Sequence, residues 1–138
     1  MRTKILAILG MVLIGLVFIG YCGMNFIRYD GHRKISLYEA QFRFGKSFFD
    51  SKSFKDGDES MRASMAVDLI QKKYYIGRPI KLVKTELGDQ TSYFVSDEIP
   101  AYVISKEPKS KTRQQNYFQI VFLSDGFGNV AEVVILSK

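Results

Sequence analysis

Asn116-Tyr117-Phe118-Gln119-Ile120-Val121-Phe122-Leu123, with the return Val130-Ala131-Glu132-Val133-Val134-Ile135-Leu136, decides the fold class. In the first stretch Phe118, Ile120 and Phe122 fall on one face and Tyr117 and Val121 on the other, the period-two pattern of a strand. Asp125-Gly126-Phe127-Gly128-Asn129 between the two has the glycine and Asx residues of a reversal. Together they predict an antiparallel hairpin. Upstream, residues 92–95 and 101–105 read as further strands around a turn at 96–100, and residues 106–115 as a polar, lysine-rich loop.

Before residue 88 the period is helical. Asp58 or Ser60 is placed to cap a helix reaching about Lys73, with Met61, Met65 and Leu69 as its apolar stripe and Ala66 and Ile70 widening it. Lys72 and Lys73 fall in its last turn, where cations suit the helix dipole. Tyr74-Tyr75-Ile76-Gly77 breaks it. Pro79 starts a short second helix, lined by Ile80, Val83 and Leu87 and closed by Gly88. Further upstream, Ser36 and Glu39 have the spacing of a capping box. Leu37, Ala40, Phe44 and Phe48 would form that helix's apolar face, interrupted by Gly45, and residues 51–57 read as a loop carrying Phe54. Helices followed by an antiparallel sheet predict an α+β domain of two layers, with helices packed on one face of three or four strands.

Ile5 to Ile27 is a run of 23 residues without a charged side chain. As a helix it would measure about 34 Å at roughly 1.5 Å per residue. That is enough to cross a hydrocarbon core of about 30 Å as a transmembrane helix. The division expected is therefore an anchor or signal segment at 1–29, a linker at 30–35 and a folded domain at 36–138. An uncleaved signal anchor competes with a signal peptide cleaved near Gly20–Cys22 and with a lipoprotein signal at Cys22. The cleavage position fits the A-x-A kind of pattern poorly. Tyr21 stands where a lipobox needs a small residue. Arg2 and Lys4 on one side nearly balance Arg28, Arg33 and Lys34 on the other. The short tail before the apolar run favours a single-pass membrane protein with its C-terminal domain outside the cytoplasm.

The formal net charge of the 138 residues is +6. Residues 1–34 hold five Lys or Arg against one Asp, a balance of 5 − 1 = +4, so the basic character flanks the apolar run. The remaining +2 leaves the folded part almost neutral, which argues against nucleic acid as a partner. Cys22 is the one cysteine, so the domain folds without an intramolecular disulfide.

No residue pattern points to a catalytic, cofactor-binding or metal site. Zinc sites need several Cys or His ligands at set spacings; this chain has Cys22 and His32 alone. Asp56, Asp58 and Glu59 gather at a helix start, where negative charge is favourable, and Asp97-Glu98 lies in a turn. Asp125 to Asn129 lacks the alternating acidic ligands and closing glutamate of a calcium loop. Two surfaces remain as candidates for binding a partner. Tyr74, Tyr75 and Arg78 surround the helix break; interfaces favour such aromatic and arginine residues, although a core position suits at least one tyrosine. Lys109, Lys111 and Arg113 lie in the basic loop, which is either a solvated connector or a patch for anionic lipid or an acidic partner.

Arg62-Ala63-Ser64-Met65-Ala66-Val67-Asp68-Leu69-Ile70, then Ile76-Gly77-Arg78, then Val83 to Leu87-Gly88 and the terminal hairpin occur in this order. Over residues 54–138 this punctuation resembles the BamE/SmpA-like superfamily of small bacterial envelope domains. Glu86-Leu87-Gly88 replaces the paired leucines usual there, and Phe54 stands at a position of tryptophan. The resemblance implies a non-catalytic scaffold or interaction domain whose partner is another envelope protein, and, with the apolar run, a place in the bacterial inner membrane with the domain in the periplasm. The alternatives are an inhibitor of another enzyme released by signal cleavage, and a lipid-binding or lipid-processing factor.

Overall fold

The terminal hairpin forms the middle of the sheet. In this computed structural model the residues described are 31–106 and 117–138. In chain order they form strand β1 (Arg33–Ile35), helices α1 (Leu37–Phe44), α2 (Ser51–Asp56), α3 (Glu59–Gln71) and α4 (Ile80–Leu87), then strands β2 (Ala101–Lys106), β3 (Tyr117–Ser124) and β4 (Val130–Ser137). The sheet order is β1-β4-β3-β2, antiparallel throughout. His32–Lys138 is one structural unit. The α+β class with helices packed against an antiparallel sheet is as expected. Among the described residues no helix is long and apolar enough to cross a membrane. The run from Ile5 to Ile27 lies outside them, as does most of the basic loop.

Local chemistry sets the helix limits. Ser36 caps α1, its Oγ accepting the Glu39 N–H at 3.1 Å. The Glu39 carboxylate turns instead to Arg33 and Arg43, each at 3.0 Å. Gly45, at φ 77° and ψ −166°, stops the helix in a region only glycine enters easily. Phe48 therefore leaves the expected apolar face and is exposed. Residues 51–56 are helical, not a loop: Asp50 accepts the Ser53 N–H at 2.8 Å and opens α2, which buries Phe54 completely and ends at Gly57. Asp58 caps α3 through the Met61 N–H at 2.8 Å. Lys72 sits at its C-cap and Lys73 beyond it at φ 53°.

Two strand expectations change. Arg33–Ile35, expected as linker, is the edge strand and pairs with Ile135–Ser137. Residues 92–95 form no ladder strand; an isolated bridge joins Phe94 to Ser96, and Val95 lies at φ 60°. Thr91 and Ser92 instead direct their N–H groups to the Ala101 carbonyl, each at 3.1 Å.

The helices cover one face of the sheet. Phe118, Ile120 and Phe122 meet Ala40, Phe54, Leu69 and Leu87 there. Phe54, Tyr75, Tyr102 and Phe122 contact one another edge to face at 5.6–6.0 Å, geometry that adds to the burial of their rings. The other face is buried as well: Val121, Val134 and Leu136 are each 2% exposed or less. The loop after α4 reaches it where the Ser92 hydroxyl donates to Gln119 Oε1 at 2.6 Å.

Candidate docking cleft

β4 is longer than the strand beside it. β1 covers Ile135–Ser137 only. At the other end, Gly77 N–H donates to the Val130 carbonyl at 2.8 Å and Val130 N–H to the Arg78 carbonyl at 2.9 Å. Among the described residues, no strand lies alongside residues 131–134 on that edge. The gap spans four residues, roughly 13 Å at about 3.4 Å each. Beside it lies a cleft of about 350 Å³, walled by Ile35, Leu37, Ile70, Ile76 and Val133. Lys34, Lys73 and Glu132 also line it. The Lys34 ammonium meets the Glu132 carboxylate at 2.7 Å.

The chain makes this gap at both ends. Ser36 turns β1 into α1 as soon as Ile35 has paired, because its side chain caps the helix. At the helix break, Lys73 and Gly77 (φ 77°) take left-handed backbone, and the chain turns back to Val130. The helix break, one of the two candidate surfaces in the sequence, thus meets the open part of the sheet edge at one place.

The candidate binding residues divide. Tyr74 is 38% exposed, its ring 5.0 Å from that of Phe49. Tyr75 is 1% exposed, so its ring offers no contact surface. Its hydroxyl donates to Glu86 Oε2 at 2.8 Å, and burial, then that bond, push its pKa well above the ordinary tyrosine value. Arg78 pairs with the same carboxylate at 3.3 Å and lies over the Tyr75 ring at 5.5 Å. The break is therefore tied to α4 through Glu86. Lys109, Lys111 and Arg113 lie outside the described residues. Asp125 spends its carboxylate on its own turn: Oδ1 accepts the N–H groups of Phe127 at 2.7 Å and Asn129 at 3.1 Å. These bonds hold its carboxyl below the ordinary range.

Sequence reasoning passed over a second apolar surface. Tyr38 and Phe42, on α1, are 85% and 86% exposed. Their spacing of four carries the signal, since it puts both rings on one helix face, away from Ala40 and Phe44. Ile76, which lines the cleft and is 39% exposed, was seen only as part of the break.

These features describe an α+β domain with an apolar cleft at an interrupted sheet edge and aromatic rings on an outer helix. Comparison with protein-family models, curated proteins and solved structures finds no match to the chain.

Proposed function

We propose that this is a membrane-anchored, extracytoplasmic interaction domain of the bacterial envelope, non-catalytic, that docks an extended apolar segment of another envelope protein. The interrupted edge of β4 at residues 131–134, with its apolar cleft alongside, carries the reading. An extended segment can satisfy backbone groups on such an edge while its alternate side chains enter the adjoining pocket. The apolar run Ile5–Ile27 supports the anchor. The order of motifs over residues 54–138 supports a distant place in the BamE/SmpA-like superfamily, where an interaction role is expected.

The test is photocrosslinking in cells from full-length protein carrying probes at Ile76 and Ala131, with Lys81 as the control position. All three positions are exposed. One envelope protein captured at Ile76 and Ala131 but not at Lys81, and lost on Ala131→Arg, is expected. The same background from all three positions would refute docking at this edge. A reporter fused after Lys138 that reads cytoplasmic would refute the orientation.

A further inference from the structure

The outer face of α1 has the wrong chemistry for water. On a helix wheel Leu37, Ala40 and Phe44 point inward, with Ala40 fully buried and Phe44 edge-on to Phe118 at 5.3 Å. The opposite side of a surface helix is normally polar. Here it presents Tyr38 and Phe42, four residues apart and both more than four-fifths exposed. Gly45 then ends the helix, and Phe48 follows at 82% exposure with the Lys72 ammonium 4.9 Å from its ring centre. Three large aromatic rings within eleven residues are thus each more than four-fifths exposed.

Two further observations choose the occupant. Between Arg33 and Phe48 the chain carries Arg33, Lys34, Arg43 and Lys46 against Glu39 alone, a balance of 4 − 1 = +3. Residues 33–138 hold 17 Lys or Arg against 13 Asp or Glu, a balance of +4, so most of the domain's excess lies in this stretch. The apolar run ends at Ile27, ten residues before Leu37. Ten residues reach at most about 35 Å, so a membrane-embedded run would keep α1 within that reach of the headgroups. Aromatic rings with an apolar body, flanked by Lys and Arg, match the interfacial zone of a bilayer.

We infer that the Tyr38–Phe42 face of α1 lies on an anionic bilayer surface, its two rings inserted at headgroup level, with the net positive charge of residues 33–48 favouring anionic lipid. This rests on the anchor reading of residues 5–27. It gives the domain a fixed orientation on the membrane and sets which of its surfaces a partner can reach.

The chain has no tryptophan, so Phe42→Trp and Tyr38→Trp each create a single fluorescent reporter at an exposed position. Phe127→Trp, at a turn residue 92% exposed, serves as the water-facing comparison. Each full-length variant is reconstituted into vesicles of phosphatidylglycerol and phosphatidylethanolamine, with and without bromine on the acyl chains. Flotation after alkaline washing reports the anchor separately. The expected result is flotation of all three, with emission at shorter wavelength and strong bromine quenching at positions 38 and 42 but not at 127. Flotation with unquenched, water-like emission at 38 and 42 would leave the anchor standing and overturn the inference. Short-wavelength emission indifferent to bromine would assign the face to a second copy or another protein, which also overturns it. Failure to float would overturn the anchor reading, and the inference with it.

Discussion

Phe54 is the residue on which residues 51–56 depend for their structure. Its side chain is fully buried, edge to face with Tyr102 at 5.6 Å and with Phe49 at 6.1 Å. A buried phenylalanine withdraws roughly 150–250 Å² from water. At about 25 cal/mol per Å² that corresponds to about 4–6 kcal/mol as an upper bound. Phe54→Ala keeps the Cβ and leaves a cavity, and substitutions of this kind cost about 3–5 kcal/mol. Domains of this size have total stabilities of about 5–15 kcal/mol. The variant should therefore lose about a fifth or more of its stability. Urea unfolding of the full-length protein in detergent, followed by far-ultraviolet circular dichroism, measures the loss as a fall in midpoint at constant slope. A loss below about 1 kcal/mol would mean that Phe54 is not packed, and that residues 51–57 are the loop their polar composition suggests.

Asp68 is 1% exposed and accepts the Phe49 N–H at 2.9 Å and the Lys72 ammonium at 3.2 Å. The Phe49 bond first, with Lys72 adding to it, holds its carboxyl below the ordinary range. Its stabilisation is thus complete above the unfolded value, near 3.9, and disappears as pH falls through the lower folded value. Asp68→Ala should depress the thermal midpoint at pH 7 and far less at pH 3; equal depression at both would refute the charged role. Gly88 lies at φ 81° and ψ −170°, and an added Cβ would stand 3.2 Å from Lys55 Cγ. Gly88→Ala should therefore cost about 1–3 kcal/mol in the same denaturation, and a neutral result would deny the strained cap. Tyr75 and Tyr102 have pKa values raised chiefly by burial. Their contribution is present below the unfolded tyrosine value, about 10, and is lost as pH rises toward the folded ones. Absorbance titration should show both ionising only as the domain unfolds, and free ionisation of every tyrosine near that value would contradict their burial.

What could be read from the sequence was whatever repeats within a few residues. The α3 stripe of Met65, Ala66 and Leu69, the α4 residues Val83 and Leu87, and the β3 face of Phe118, Ile120 and Phe122 are all buried. Met61, at the exposed end of the same α3 stripe, is not. β1 was missed because three residues carry no period; its partner Ile135–Ser137 is about a hundred positions away. α2 was missed because Ser51-Lys52-Ser53 has loop composition, although Asp50 three residues before Ser53 was a usable cap signal. Residues 92–95 alternate like a strand, yet Thr91 and Ser92 take the edge bonds at Ala101 and Val95 turns away at positive φ. The cleft could not be read at all. It exists because β1 stops short of β4, a fact of pairing and not of either segment.

The division between Tyr74 and Tyr75 bears on how that cleft can work. Consecutive residues in the turn after α3 point in opposite senses, so one tyrosine joins the core while its neighbour stays at the surface. Tyr75 is held by Phe122 on one side and by Glu86 of α4 on the other. Gly77 and Arg78 are bonded to Val130 at the end of β4. Ile76 lies between these fixed points, so the cleft wall it forms is positioned before anything binds. A preformed wall lowers the ordering cost of association and leaves more of the buried apolar area to appear as affinity. Loosening the wall by Glu86→Ala should weaken capture from Ala131 while leaving the cleft-lining side chains unchanged. Capture as strong as in the parent would mean that the partner reads the edge of β4 alone.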